Sequence, residues 1–422
     1  MSAGVYNNYS DSYFISYENM QVHRIMLGDK PRLDAYKKAI LSRKEIFKGM
    51  VVMDVGAGTG VLSLFCAAAG AKKVYAVEAS SLASVASDVV KENEYSDIIE
   101  VLHQKVEDVC LPNGTEVDVI VSEWMGFYLL HESMLDSVIV ARDKFLKPNG
   151  KLFPDKAIIY VAPCSTPLSL LEEIQKEKEF WDNVAGFKMK SIFRTITRER
   201  FSTPEVSTSV QESDLLSSGT KLFTLDLSKV TTNELNLLEA RKFISVNRDG
   251  EYGGICIWFD CEFPDLNESQ SLSASNATAA TQKEEDKIIL STSPFSTSTH
   301  WKQTLIIWPH TIPNVAIGDS DADHCGVTDQ EIKRDLNVDV SNPWKVEDGE
   351  VIGFNITLRR DLSYPRRYAI HLEALDPVEE DHPVPCECGT AICTVIGAFL
   401  QQNDGSSSSS FSTDGECDVD DS

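Results

Sequence analysis

Four groups of residues in this sequence have types and spacings that could do chemistry, and the first is a glycine-rich stretch. It reads Asp54-Val55-Gly56-Ala57-Gly58-Thr59-Gly60 and follows a short apolar run. Glycine adopts positive φ without strain and lets a ligand approach the backbone. Glu78 ends a second apolar run, where a carboxylate can accept hydrogen bonds from both hydroxyls of a ribose. Gly56, Gly58 and Glu78 therefore predict a site for an adenosine-containing cofactor, with a glycine turn needed for packing alone as the alternative.

The second group is a pair of glutamates, Glu123 and Glu132, nine positions apart. They flank an apolar loop, and Glu123 ends another strand-like run. If the loop doubles back, both carboxylates enter one pocket. Two such acids could exchange protons with a substrate, or they could bind the forked donors of a planar guanidinium. Solvated surface acids are the alternative, but the strand-end position of Glu123 favours a functional role.

The other two groups lie outside this central region. Thr299-His300-Trp301 precedes an apolar run late in the chain. It matters for chemistry if a second domain folds over the cofactor, and otherwise His300 is a structural histidine. Near the N-terminus, aromatic and charged residues suit a helix laid over the cofactor, in which Arg32 could bind a cofactor carboxylate. An ordinary amphipathic helix is the alternative there.

The elements that must position these groups are predicted from the periodicity of apolar residues. Strand-like and helix-like stretches alternate between residues 51 and 150, which is typical of a parallel sheet with right-handed crossovers. Ligands of such sheets bind at the carboxyl ends of the strands. Strands are predicted at 51–56, 73–78, 98–104 and 117–123, and helices at 61–69 and 81–93.

After residue 152 the pattern changes to that of a second, β-rich domain. We predict a barrel or a sandwich, interrupted by one helix at 168–184. The polar segments 267–285 and 317–342 are expected to be loops or insertions. Strands are predicted at 157–163, 221–227, 254–263, 287–293, 304–308, 351–358 and 367–375.

Composition limits the classes of partner. The chain has 422 residues and a net charge of −26. This charge suits the attraction of basic ligands and argues against a nucleic-acid-binding surface, with plain solubility as the other explanation. No apolar run approaches the roughly 20 residues that span a bilayer, and the N-terminus lacks the pattern of a secretory signal. Residues 401–422, acidic and rich in serine, are predicted to be a disordered tail.

The ten cysteines are scattered along the chain. Without a secretory signal they are expected to be reduced thiols. Cys386, Cys388 and Cys393 form a C-x-C-x4-C pattern, which is not a four-ligand zinc spacing. We therefore expect no metal site.

Taken in order, the motifs resemble those of the protein arginine methyltransferase family over roughly residues 13–375. YFISY, VVMDVGAGTG, AVEAS, SEWMGFYLLHESML and THW are each similar to a motif of that family. VYAVEAS, LLHESML, LSTSPF and PRR look most like the sixth member, a nuclear type I enzyme acting on histone tails. The implied α/β fold is an N-terminal helix with a Rossmann-like S-adenosylmethionine-binding domain (1–152), then a β-barrel substrate domain (153–400) with a helical dimerisation arm at about 165–195.

The resemblance implies a role for each candidate residue. The catalytic set comprises two carboxylates, a histidine–aspartate pair and two methionines bordering the transferred methyl group: Glu123, Glu132, His300, Asp29, Met26 and Met125. The set that holds S-adenosylmethionine, in which Tyr17 closes over the pocket, comprises Arg32, Gly56, Gly58, Glu78, Glu107, His23 and Tyr17.

The resemblance also implies reaction and partners. The methyl donor is S-adenosyl-L-methionine, with no metal, and the products are monomethyl- and asymmetric dimethylarginine. Substrates are arginine-rich basic proteins such as histone tails. A homodimer is expected, without direct binding of nucleic acid or membrane, in the nucleus and secondarily in the cytoplasm.

Three alternatives remain. Arg24-Ile25 follows His23 where the family commonly has two glutamates, which keeps open a catalytically silent member that acts as a binding scaffold. A small-molecule methyltransferase would use the same sheet but would not explain the second domain or the negative charge. A dehydrogenase is disfavoured because its G-x-G-x-x-G fingerprint needs glycine where Val61 stands.

Overall fold

The computed structural model describes Tyr17 and residues 19–265, 287–308, 344–361 and 363–404, with side chains described as far as 400. Several predicted features therefore lie outside the described residues. They are the first four residues of the YFISY motif, the polar segments 267–285 and 317–342, and the tail from residue 405 onward.

A five-stranded parallel sheet forms the first half of the molecule, in the order β3-β2-β1-β4-β5. Its central strands are rich in buried valine, which suits a sheet covered on both faces. The strand order reverses between β1 and β4, so their carboxyl ends open a crevice. The predicted parallel sheet is confirmed, with strands β1 Val51–Val55, β2 Lys73–Glu78, β3 Ile99–His103, β4 Val117–Val121 and β5 Leu146–Phe153.

Helices pack around this sheet, and three of them precede it. The chain turns between the first two at Asp29, whose carboxylate caps the second helix by accepting a hydrogen bond from the Arg32 amide at 3.2 Å. Pro31 lies in the first turn of that helix, where a backbone N–H has no intrahelical partner to lose. The helices are α1 Met20–Gly28, α2 Lys30–Leu41, α3 Lys44–Phe47, α4 Val61–Ala68, α5 Leu82–Glu92 and α6 Leu135–Phe145.

The second half is a barrel-like arrangement of antiparallel strands. The larger sheet has the order β7-β13-β11-β6-β8, with β12 paired to β11, and a three-stranded sheet has the order β16-β15-β9. A further ribbon pairs β10 with β14. The strands are β6 Lys156–Cys164, β7 Glu205–Thr208, β8 Thr220–Asp226, β9 Leu237–Ser245, β10 Gly250–Tyr252, β11 Gly254–Glu262, β12 Ile289–Ser291, β13 Gln303–Ile307, β14 Trp344–Val346, β15 Val351–Arg360 and β16 Tyr368–Leu375.

The expectation of a single helix in this half is wrong. Besides α7 Leu168–Asp182 there are α8 Lys190–Phe201 and α9 Ala391–Asp404. Helix α8 buries side chains four positions apart against α7, a spacing that the sequence already contained. Helix α9 extends into the segment predicted as a tail. None of the helices in the described ranges is both long and apolar enough to cross a membrane.

Candidate active site

A cavity of about 400 Å³ lies at the carboxyl end of the parallel sheet, between helix α1 and the barrel-like domain. Twelve of the thirteen site residues predicted from the sequence line it. Asp29, the thirteenth, lies behind the cavity wall and bonds to His300. The residues that line it are Tyr17, His23, Met26, Arg32, Gly56, Gly58, Glu78, Glu107, Glu123, Met125, Glu132 and His300.

The glycine loop forms one side of this cavity. Gly56 and Gly58 have φ angles of 72° and 54°, in the region that favours glycine. A Cβ on Gly56 would lie 2.1 Å from the Met134 Cε, so glycine at this position leaves room for the Met134 side chain. Glu78 fixes the loop by accepting hydrogen bonds from the Gly58 and Ser80 amides, both at 2.8 Å. The Ser80 hydroxyl also donates to Glu78, at 2.6 Å. Because a carboxylate has about four acceptor positions, Glu78 retains about one for a ribose hydroxyl.

Asp54 supports the loop from below. It is fully buried and accepts a hydrogen bond from the Ser63 hydroxyl at 2.7 Å through one oxygen, while the other has no partner among the described residues. Burial raises the pKa of Asp54 to about 7, because the charged form loses its hydration. Its place beneath the loop gives Asp54 a structural role.

Glu107 lies at the rim of the cavity. Its side chain is exposed and accepts a hydrogen bond from the Ser137 hydroxyl at 2.7 Å. This position follows strand β3 and borders the same side of the cavity as Glu78. Glu107, which the resemblance places among the residues that hold S-adenosylmethionine, therefore falls at an open edge of the cavity.

Glu123 is held by Arg32 at the centre of the cavity. The Arg32 Nε and Nη2 donate to the same Glu123 oxygen, Oε2, at 2.9 and 2.5 Å, and its Nη1 donates to the Met26 carbonyl at 2.9 Å. The second oxygen of Glu123, Oε1, is buried and has no partner among the described residues. A buried carboxylate oxygen without a donor is costly, so this atom favours an incoming hydrogen-bond donor.

Glu132 lies on a strained loop that brings it back to the same cavity. Tyr128, Leu129, Glu132 and Ser133 all have positive φ, between 43° and 76°. Such conformations cost free energy in residues other than glycine, and they persist where surrounding contacts impose them. The Tyr17 hydroxyl donates to the Glu132 Oε2 at 2.5 Å.

The contacts that impose this loop conformation come from the barrel-like domain. The Glu132 amide donates to the Arg366 carbonyl at 2.7 Å, and the Arg366 Nη1 donates to the Glu132 carbonyl at 2.9 Å. The Ser133 hydroxyl donates to the Pro365 carbonyl at 2.8 Å. The segment between strands β15 and β16 therefore fixes the backbone on which the second glutamate is carried.

His300 completes the wall from the segment between strands β12 and β13. Its Nδ1 and its amide both contact the Asp29 Oδ2, at 2.6 and 2.8 Å. Burial acts to raise the pKa of the Asp29 carboxyl, but hydrogen bonds from His300 and from the Arg32 amide hold it below its ordinary value. The Trp301 Nε1 donates to the Met125 carbonyl at 3.1 Å, so this tripeptide contacts the glutamate loop.

Sequence reasoning missed two residues that shape the cavity. Arg366 lines it and bonds the Glu132 backbone, although its PRR motif served as a mark of resemblance alone. Tyr36 is buried behind it and donates to the Ser122 carbonyl at 2.8 Å, next to the Met125 sulfur at 3.7 Å. Neither position carries a local signal, because both contacts join distant parts of the chain.

The structure adds one possible metal ligand to the cysteine pattern near the C-terminus. The expectation of no metal counted three ligands, Cys386, Cys388 and Cys393. The structure places a fourth, His382, with its ligand atom within 4.8 Å of all three sulfurs. A histidine four positions before the first cysteine was readable in the sequence, but the cysteine spacing alone did not include it.

Each half of the chain matches a known protein family. Residues 155–341 match the family described as arginine methyltransferase oligomerization subdomain. Residues 35–150 match the family described as ribosomal protein L11 methyltransferase (PrmA). The first match lies in the barrel-like half and the second covers the sheet that carries the glycine loop.

Comparison with individual proteins covers most of the chain. A probable protein arginine N-methyltransferase 6 from Arabidopsis thaliana is 41% identical over 312 residues, 70% of this chain and 70% of the relative. Protein arginine N-methyltransferase 6 from Danio rerio is 40% identical over 297 residues, 70% of this chain and 78% of the relative. A solved structure of the Trypanosoma brucei PRMT1 enzyme–prozyme heterotetrameric complex with AdoHcy has a TM-score of 0.66 and 29% identity, covering 87% of this chain and 98% of its own.

Proposed function

This chain belongs to the protein arginine N-methyltransferase family, and we propose that it makes monomethyl- and asymmetric dimethylarginine on basic proteins, histones among them. One observation carries the proposal at this site. Glu123 and Glu132 share a cavity, and the buried Glu123 Oε1 lacks a donor among the described residues. A guanidinium supplies paired N–H donors in the geometry that carboxylates bind best.

The two carboxylates compensate for the positive charge that makes an arginine side chain a poor nucleophile. An arginine side chain keeps its proton at neutral pH because its pKa is roughly 12.5 or more, so its nitrogens are poor nucleophiles. Glu123 and Glu132 offset the positive charge, and the interaction is strengthened because the Glu123 side chain is largely shielded from water. Holding the guanidinium in one orientation also directs a single nitrogen towards the side of the cavity that fits the methyl donor.

The residues on the other side fit S-adenosylmethionine. When bound, this molecule supplies an electrophilic methyl group on a sulfonium. The positive-φ glycine loop and the remaining acceptor position of Glu78 suit its adenosine, and Arg32 offers its guanidinium to a carboxylate while it bonds Glu123. Met26 and Met125 line the cavity near Glu123 and border the space between donor and acceptor.

A proton leaves the methylated guanidinium, and His300 with Asp29 offers an acceptor. The Asp29 carboxylate holds the Nδ1 hydrogen of His300, which leaves Nε2 as the ring nitrogen that can accept a proton. An ionised, buried Asp29 stabilises the imidazolium that results. A base strong enough to deprotonate a free guanidinium is not required.

The net charge supports basic substrates. At −26 the chain attracts arginine-rich segments through long-range electrostatics, and histone tails have that composition. Within this proposal the protein acts on histones in the nucleus, with a cytoplasmic pool as the second location. Fluorescence microscopy of the tagged full chain tests the location, and exclusion from the nucleus would contradict it.

The proposed assembly is a homodimer formed through the arm that contains α7 and α8. The arm exposes large apolar side chains, with Leu168, Phe180 and Phe187 between 57% and 70% exposed. Sedimentation of the full chain should give a dimer that Phe187→Glu converts to a monomer. Val378→Glu, at an exposed valine outside the arm, is the control and should remain dimeric. A monomeric wild-type chain would contradict this assembly.

The test of the reaction is incubation of the purified full chain with methyl-labelled S-adenosylmethionine and a histone mixture, followed by mass analysis. We expect asymmetric dimethylarginine, lost in Glu123→Gln and kept in the control Glu92→Gln, which changes an exposed glutamate outside the cavity. Symmetric dimethylarginine would contradict the proposed product. Binding of S-adenosylmethionine with no methylated arginine on any basic protein would support the scaffold alternative instead.

A further inference from the structure

A second constellation of reactive side chains lies outside the cavity, after the last strand of the barrel-like domain. It consists of His382, Cys386, Cys388 and Cys393, whose ligand atoms all lie within 4.8 Å of one another. None of the four lines the cavity that contains Glu123. The arginine methyltransfer described above uses none of these groups, so their convergence needs another explanation.

The distances between these atoms match a tetrahedral metal site. The His382 Nδ1 lies 3.6 Å from the Cys386 Sγ and 3.3 Å from those of Cys388 and Cys393. A tetrahedron with metal–sulfur bonds of about 2.3 Å and metal–nitrogen bonds of about 2.0 Å has nitrogen–sulfur edges of about 3.5 Å. One Nδ1 lone pair cannot accept hydrogens from three thiols, whereas one cation can bind all four atoms.

The orientation of the histidine is fixed by a neighbour on its other side. The His382 Nε2 donates to the Pro377 carbonyl at 3.0 Å, so Nε2 carries the hydrogen and Nδ1 presents its lone pair to the sulfurs. The ring stacks on Phe243 of strand β9, with centroids 3.8 Å apart and planes 11° apart. A carbonyl on the distal nitrogen is the usual outer contact of a metal-bound histidine.

The cysteines are held at defined points of the local fold. Cys388 and Cys393 are 1% and 7% exposed, and they pack with Phe243 and Leu375. Gly389 has a φ of 77°, which lets the chain turn between Cys388 and helix α9. The Thr390 hydroxyl lies 3.2 Å from the Cys388 Sγ and can donate to a thiolate there.

Helix α9 depends on this cluster for its position. Cys393, in its first turn, is the one buried side chain among those described for the helix, which otherwise exposes residues such as Ile392, Val395 and Phe399. Hydrophobic burial alone therefore attaches α9 weakly. A bond from Cys393 to a shared metal would attach it firmly.

We propose that His382, Cys386, Cys388 and Cys393 bind one zinc ion that fastens helix α9 to the barrel-like domain. Three thiolates and one imidazole form a closed tetrahedral set, which is typical of structural zinc and leaves no position open for a substrate. Binding converts three thiols to thiolates and releases their protons to solvent. The spacing is H-x3-C-x-C-x4-C. It departs from the paired C-x2–4-C motifs of common zinc sites because a single residue separates Cys386 from Cys388.

The first test is the metal content of the untagged full chain, purified without chelator and measured by mass spectrometry of the elements. We expect one zinc per chain in the wild type and a trace in Cys393→Ser. The control Cys110→Ser changes an exposed free cysteine elsewhere and should keep its zinc. A wild type with no more zinc than Cys393→Ser would overturn the proposal, as would a disulfide among the three cysteines of the freshly purified chain.

A second test uses the wild type alone, because Cys393→Ser could fail to fold. Cobalt added to the metal-stripped chain should give the intense visible absorption of a tetrahedral thiolate site at one equivalent, and zinc should abolish it. Removing zinc with a chelator should speed hydrogen exchange of the α9 amides while strands β1 to β5 stay protected. Absence of the cobalt spectrum would overturn the site, and unchanged exchange in α9 would overturn its anchoring role. Neither readout depends on methyltransferase activity.

Discussion

The two sides of the cavity are built in different ways. On the cofactor side, Glu78 bonds residues 20 and 2 positions away, Gly58 and Ser80. On the acceptor side, the bonds that fix the glutamate loop and the histidine join residues 115, 234 and 271 positions apart. The glycine loop and Glu78 are therefore positioned by a single sheet, whereas the glutamate loop and His300 require the N-terminal helix, the sheet and the barrel-like domain to come together.

Because of this difference, we expect substitutions to affect either the binding of S-adenosylmethionine or the rate of turnover. Changes at Glu78 or the glycine loop act on the part of the cofactor side that the sheet positions by itself, so they should weaken binding of S-adenosylmethionine. Changes on the acceptor side disturb the placement of Glu132 or His300 relative to the substrate. They should lower turnover and leave the affinity for S-adenosylmethionine nearly unchanged. A substitution on one side should therefore change either cofactor affinity or turnover, and not both.

The largest effect is expected from Glu132→Gln. Glutamine keeps the size of the side chain but removes the charge that offsets the guanidinium, so kcat should fall by about 10³-fold. Affinity for S-adenosylmethionine, measured by calorimetry, should change less than about threefold. Initial rates with a histone substrate give kcat for the wild type and the variant.

The control for this change is Glu92→Gln, at the exposed end of helix α5, which should keep full activity. Turnover retained in Glu132→Gln would exclude the two-carboxylate mechanism. A large loss of cofactor affinity in the same variant would show that the two sides are not separable.

Glu78→Ala is expected to have the opposite signature. It removes a carboxylate that bonds the glycine loop and faces the ribose position, and hydrogen bonds to a charged group contribute about 1.5–3 kcal/mol. Calorimetry should therefore show S-adenosylmethionine binding weakened by roughly 10- to 100-fold. Glu107→Ala, at the exposed rim, should weaken it less. Unchanged affinity in Glu78→Ala would contradict its ribose role.

The sequence predicted the cofactor side well, because its determinants are local. Strands β1, β2, β3 and β4 lie within two residues of their predicted ends, and Gly56, Gly58 and Glu78 fall where the strand-end rule places them. Buried parallel strands read as short apolar runs, and glycines mark the turns. These signals need no knowledge of the rest of the fold.

The acceptor side was less predictable, because it depends on long-range pairing. Strand β9 was missed since Phe243 and Ile244 are its only buried residues along Leu237–Ser245, and its register is set by β15, more than a hundred residues later. Arg366 was missed for the same reason, because its partner Glu132 lies 234 positions away and is identified by the fold and not by the neighbouring sequence.

A smaller effect is expected from Arg366→Lys, which tests the long-range contact directly. Lysine keeps the charge but cannot reproduce the guanidinium bond to the Glu132 carbonyl at 2.9 Å, so the glutamate loop becomes less well fixed. We expect kcat to fall by about tenfold, with cofactor affinity unchanged.

Arg367→Lys is the matched control for this change, since it alters the next residue, which is exposed and outside the cavity lining. It should change kcat by less than about twofold. Equal losses in Arg366→Lys and Arg367→Lys would mean that the general charge of this segment matters and not the bond to Glu132.

The smallest effect on turnover is expected from Asp54→Asn, which separates stability from chemistry on the cofactor side. The pKa of Asp54 is raised to about 7 by burial, above the roughly 3.9 of an unfolded chain. Between about pH 4 and 7 the folded state keeps a proton that the unfolded state has lost, so stability falls as pH rises through this window. The loss is at most about 1.4 kcal/mol per pH unit and is complete above pH 7.

Denaturant unfolding of the two chains at several pH values measures this contribution. The free energy of unfolding of Asp54→Asn minus that of the wild type should rise from pH 4 to 7 and then stay constant, because asparagine does not titrate. A difference that is flat across this range would mean that Asp54 is ionised in the folded protein. Its buried carboxylate would then need a donor for the oxygen that has none among the described residues.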